Sequence, residues 1–172
     1  MPPGSIEIFR NPVIDTSVLF DFLVWRFCVE TKTAFPGCIS DSAAEKDTLR
    51  ALHWYLDQVK PILTSPHVIA EIHGLVQSRA GWRGARLSDF WLIAQEELRR
   101  LSLDERSIKL VNMNSENLAA FGPTDDSILQ IAVQKHGTVV TGDHGLRGRL
   151  KEKQIGILDR YEILALWQEH NA

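Results

Sequence analysis

Along the chain short runs rich in apolar and β-branched residues alternate with stretches whose apolar positions recur at roughly 3.6 residues, and each change marks the boundary of an element. Residues 6–14 are rich in apolar and β-branched side chains and end at Asp15, which predicts a buried strand. Residues 17–27 predict an apolar helix with Thr16 or Ser17 as its cap. Residues 28–42 mix Thr, Pro, Gly, Cys and Ser without a period and predict a long loop; a helix over about 43–59 follows. Residues 61–64 predict a short strand, after which Ser65-Pro66 supplies a cap and a proline at the first helical position for a helix reaching about Arg79. From 85 to 103, Leu87, Phe90, Trp91, Ala94, Leu98 and Leu101 recur at helical spacing, the mark of one strongly amphipathic helix. A strand is predicted at 108–111, a short helix at 115–121 closed by Gly122, and a helix capped by Thr124 through about Lys135. The rest predicts a strand at 138–141, a helix over about 146–153, a strand at 155–158 and a terminal helix over 161–169.

Strands and helices in alternation point to an α/β fold with a central parallel sheet covered on both faces, because parallel strands require crossover connections. A length of 172 residues suits one domain over residues 1–172. With 44% hydrophobic and 24% charged residues the composition is that of an ordinary globular protein. The net charge of −3 argues against a generic polyanion binder, so any nucleic-acid contact must rest on local patches. Met1-Pro2-Pro3-Gly4 does not lead from a basic region into an apolar run, and no stretch nears the roughly 18 apolar residues of a membrane span. The expectation is a cytoplasmic protein with no membrane partner. Cys28 and Cys38 have neither metal-ligand spacing nor the density of a disulfide framework and read as free thiols.

Four acids change this picture. In an open parallel sheet ligands bind beyond the carboxyl ends of the strands, so acids placed there converge although distant in sequence. Asp15 follows the first strand, Asp143 follows the fourth, and Asp125 stands at a helix start. Glu71 lies in the second turn of the helix after the 61–64 strand, at the margin of the stripe Val68, Ile72 and Leu75. Asp125 leads the apolar row Ile128, Leu129 and Ala132 and is expected to point inward, whereas Asp126 shares its row with Leu129 but also with Gln130 and is expected at the rim or interacting with the helix dipole. Crowded carboxylates raise one another's pKa unless a divalent cation neutralises them. All-oxygen donors suit Mg²⁺ or Mn²⁺ better than zinc. Phosphodiester hydrolysis fits these parts, the cation polarising a phosphoryl oxygen while a carboxylate orients or deprotonates water. Each piece also has an ordinary role, as a helix cap for Asp15 and Thr124–Ser127, as a turn for Thr141–Gly145, and as a surface group for Glu71. Their combination at strand ends is what suggests a site.

Four blocks carry a resemblance: Val13–Leu19, Ser65–Ile72, Thr124–Ala132 and Val139–Leu146. In residue types and order they resemble the PIN domain, a family whose bacterial members include VapC-type toxins. The resemblance implies a PIN-like three-layer α/β/α fold and an endoribonuclease that uses Mg²⁺ or Mn²⁺ held by Asp15, Glu71, Asp125 and Asp143, with water as nucleophile. It implies that Thr16, Ser17 and Thr141 orient the ligands or the bound water; Asp126 is a weaker candidate beside them. It also implies self-association, often as dimers, and for a toxin a cognate antitoxin over the site. The chain is longer than a minimal toxin of the family, with the extra length placed at about 26–47 and 79–103.

RNA contact has support from Arg79, Trp82, Arg83 and Arg86 and from Arg147, Arg149, Lys151 and Lys153, since basic residues beside an aromatic hold a backbone and stack a base. A solvated helix face explains either cluster equally well. His67, His73, His136 and His144 show no ligand spacing. A competing reading is a PIN-like RNA-binding or protein-interaction module with weak or no catalysis, against which the intact set of acids counts. A phosphotransfer domain is the third reading. A dehalogenase-type phosphatase wants a second Asp where Ser17 stands, and a receiver domain wants an acidic pair and a late lysine that are not evident.

Overall fold

The computed structural model describes residues 11–108, 113 and 115–172. Five short strands, β1 (Val13–Ile14), β2 (Ile62–Thr64), β3 (Leu103–Glu105), β4 (Val139–Val140) and β5 (Ile157–Leu158), form one sheet in the order β3-β2-β1-β4-β5. All neighbours are parallel, and Val13 registers with Leu63 on one side and Val139 on the other. The strands alternate with α1 (Thr16–Thr31), α2 (Ala43–Gln58), α3 (Pro66–Ser78), α4 (Gly84–Arg100), α5 (Ser115–Lys135), α6 (His144–Glu152) and α7 (Arg160–Asn171). This is an α/β fold with a parallel sheet flanked by helices, consistent with three layers. The chain runs outward from β1 to β3 and then crosses back to β4, so the sheet's topological switch point lies between β1 and β4, the place where open parallel sheets leave a crevice at the strand ends.

The core explains the apolar character of α1. Val18, Leu19, Phe20, Phe22, Leu23 and Val24 are all buried, because the helix packs on α2, α3 and α4 within the hydrophobic core. Glu97 of α4 is buried yet charged, and it ties the two helices together. Arg26 Nη2 and Nε donate to its Oε1 at 2.6 and 2.9 Å, and Arg100 Nε donates to its Oε2 at 2.9 Å. These donors hold the Glu97 pKa below its ordinary value despite burial. Cys28 and Cys38 are free. No helix among the described residues is long and apolar enough to cross a membrane.

Several boundaries differ from the sequence expectation. Of the strand expected at 6–14, residues 6–10 lie outside the described residues and the strand itself is Val13–Ile14. The cap of α1 is Asp15, not Thr16 or Ser17, and the helix continues past Phe27 to Thr31 because Cys28 extends the buried surface. It stops where Lys32 turns left-handed, with φ 54°. The amphipathic helix ends at Arg100 instead of 103; Ser102 turns left-handed and Leu103–Glu105 becomes the edge strand. The third strand therefore precedes the expected 108–111, of which Ile108 lies outside any strand and 109–111 outside the described residues. Charges in Leu103-Asp104-Glu105 hide the strand pattern, but an edge tolerates them and they discourage further pairing. Gly122 breaks α5 with φ 80° and ψ 171°, as a residue without Cβ allows, and Thr124 lies inside the following helix rather than capping it.

Candidate active site

At the end of β1 the extended backbone of Asp15 turns its carboxylate over the first turn of α1. The Thr16 N–H donates to Oδ1 at 2.7 Å, while Ser17 Oγ and Thr141 Oγ1 each donate to Oδ2 at 2.8 Å. These donors favour the ionised form, but only 4% of the residue is exposed and burial outweighs them, so the pKa is raised. Thr141 leaves β4, whose Val140 carbonyl accepts from the Asp15 N–H at 3.1 Å. Its Oγ1 also accepts from the Asp143 N–H at 3.0 Å, and Ser17 Oγ accepts from the Gly142 N–H at 3.2 Å. Hydroxyls thus stitch the ends of β1 and β4 together around one buried carboxylate.

Asp143 caps α6, its Oδ1 accepting from the Leu146 N–H at 2.8 Å, and remains exposed. Asp125, half-buried on α5, has its pKa pushed up to about 6, first by burial and then by the negative charge of Asp15, with Asp143 adding to it. Arg149 opposes that rise, its Nη2 lying 3.2 Å from Asp125 Oδ2. Glu71 is exposed on α3, and its Oε2 accepts from Thr16 Oγ1 at 2.8 Å. Contacts therefore run from Glu71 through Thr16 to Asp15, and through Thr141 to Asp143, while Asp125 feels two of these acids electrostatically. Among the described residues no three His, Cys, Asp or Glu side chains come together closely enough to hold a metal ion. The donor chemistry nevertheless suits a hard divalent cation: every candidate donor is a carboxylate oxygen, and a positive charge at the cleft would relieve the repulsion that raises Asp125.

Asp126 departs from its expected place at the rim. It is 1% exposed and accepts from Gln130 Nε2 at 2.7 Å, while Asp125 is the more open of the pair. The reason is tertiary, since α5 packs on α3 as well as on β1 and β2. Sequence reading also missed a buried hydroxyl pair beside it. Ser127 Oγ lies 2.8 Å from Ser65 Oγ and 2.7 Å from the Thr124 carbonyl oxygen. The local signal among the described residues was slight: Ser65 caps α3, and Ser127 lies about one turn into the helix that follows Gly122. Trp82 is not free to stack a base: it is 5% exposed, with its ring centroid 4.6 Å from Phe27 and 5.6 Å from Phe90. Arg86 lies over that ring at 4.9 Å, and Arg79 and Arg83 are exposed. Arg147 pairs with Asp159 at 3.1 Å and Arg149 with Asp125, leaving Lys151 and Lys153 as the exposed members of their cluster. Neither a family model nor a curated protein matches the chain.

Proposed function

We propose that the chain is a PIN-like, metal-dependent endoribonuclease that hydrolyses RNA phosphodiester bonds at the crevice between β1 and β4. The observation that carries this reading is the buried carboxylate of Asp15 at the switch point of a parallel sheet, to which Ser17 and Thr141 both donate at 2.8 Å while the same Thr141 hydroxyl accepts from the Asp143 N–H. Asp15, Glu71, Asp125 and Asp143 would hold Mg²⁺ or Mn²⁺, which supplies Lewis acidity toward a phosphoryl oxygen and lowers the pKa of bound water. Ser17 and Thr141 hold Asp15 in a single orientation, and Thr16 does the same for Glu71. Asp143 is exposed and anchored through one oxygen, which leaves it able to orient or deprotonate the attacking water. Action as a toxin, dimer formation and cover by an antitoxin belong to the same proposal.

Asp15 and Asp143 also serve as the caps of α1 and α6, and these structural roles favour a second reading, an RNA-binding or protein-interaction module with weak or no catalysis. One experiment separates the two. Mixed-sequence RNA incubated with the protein and millimolar Mn²⁺ is expected to be cut without 2′,3′-cyclic phosphate, because water rather than the 2′-hydroxyl attacks. Asp15→Asn and Asp143→Asn are each expected to lower the rate about a hundredfold or more. RNA that binds but stays whole with both Mn²⁺ and Mg²⁺ would establish the module instead.

A further inference from the structure

Beside the acidic crevice lies an open cavity of about 110 Å³, several times what a single water requires but below the roughly 150 Å³ that encloses a benzene ring, so it can admit the polar edge of a base without surrounding it. Ser17 and Gly142 form its border with the crevice, Val18 and Leu52 are among its apolar walls, and Asp21 and Arg160 supply its charged groups. Ser17 belongs to both sites, since its Oγ donates to Asp15 and accepts from the Gly142 N–H. Asp21 follows Ser17 at i+4 and so lies on the same side of α1, one turn further from the strand end. Arg160 Nη1 lies 2.8 Å from Glu45 Oε1 and 3.5 Å from Asp21 Oδ2.

This combination selects among ligands. A lone phosphate is a poor occupant, because two carboxylates already balance the guanidinium and would repel it. Apolar walls with a carboxylate and a guanidinium instead suit a planar heterocycle with polar edges. Guanine presents adjacent N1–H and N2–H donors that one carboxylate can accept, and beside them an O6 acceptor for the multi-donor guanidinium. Adenine and cytosine each set an amino group beside a bare ring nitrogen, and uracil flanks its N–H with two carbonyls that face the carboxylate unfavourably. We propose that this cavity is a specificity pocket for a guanine adjoining the scissile phosphate; as a substrate subsite it rests on the nuclease reading, whereas its affinity for the base does not.

The test is binding of guanosine 3′-monophosphate, against the adenosine, cytidine and uridine equivalents, to the full chain without added metal, followed by calorimetry. Guanosine 3′-monophosphate is expected to bind roughly tenfold or more tightly than the other three, and Asp21→Asn, nearly isosteric, to remove that advantage while still melting cooperatively. Equal binding of all four, no saturable binding at millimolar nucleotide, or full selectivity in Asp21→Asn each overturns the pocket. The wild-type comparison decides even if the variant does not fold. RNA cut in Mn²⁺ without this selectivity leaves the nuclease standing and removes the pocket; selectivity without cutting does the reverse.

Discussion

Two carboxyls show what burial does at single residues: those of Asp21 and Asp125 are both pushed up to about 6, and in both burial is the first cause. For Asp21, Arg160 and Arg79 pull the pKa down and Glu45 pushes it up. Because the folded value lies above the ordinary 3.8, the folded protein holds more protons than the unfolded chain between about pH 4 and 6. The stability this group allows is fully present below pH 4 and falls as pH rises through the folded pKa. Asp21→Asn is therefore expected to raise stability at pH 7 by on the order of 1 kcal/mol, a figure reduced for solvent screening. The gain should vanish at pH 3.5. Urea midpoints of both proteins at the two pH values test this, and a variant less stable at pH 7 would refute the sign. The acidic residue types were legible in the sequence. Their burial was not, and Asp126 shows why: its helical row puts it at the rim, yet packing between α5 and α3 leaves it 1% exposed.

Between elements, the segment joining α3 to α4 has a structural task. Trp82 packs against both Phe27 of α1 and Phe90 of α4, which also touch each other, so its buried ring completes a three-ring cluster at the junction of two helices. Trp82→Ala is expected to cost about 3–5 kcal/mol of folding stability, the usual range for a large buried aromatic. A loss below roughly 1 kcal/mol by urea denaturation would return Trp82 to the surface role read from its basic neighbours. The amphipathic α4 was readable from its period and the start of α3 from Ser65-Pro66, because these signals are local. The edge strand β3 was not, since its identity depends on β2 lying beside it and not on the character of Leu103-Asp104-Glu105.

At the scale of the molecule, the strand order brings Asp15 beside Thr141 from 126 residues away and sets Arg149 of α6 against Asp125 of α5. Arg149 supplies the positive charge that a bound cation would bring, so the two compete for Asp125 under the proposed function. Mn²⁺ at a hundred times its dissociation constant is expected to stabilise the wild-type protein by roughly 2.7 kcal/mol. Asp15→Asn should lose the effect, and Arg149→Gln should reach it at a lower Mn²⁺ concentration. Thermal melts across a Mn²⁺ titration read this directly, and no shift in wild type or Arg149→Gln would defeat the metal site. The alternation of strands and helices, the parallel sheet and the identities of the candidate acids were determined by the sequence alone, because periodicity, caps and residue chemistry are local properties. Which acid is buried, which hydroxyl orients it, which arginine faces it and what pocket adjoins it were decided only by the tertiary structure. Each depends on residues tens of positions apart that meet through strand pairing and helix packing, and no local pattern encodes those meetings.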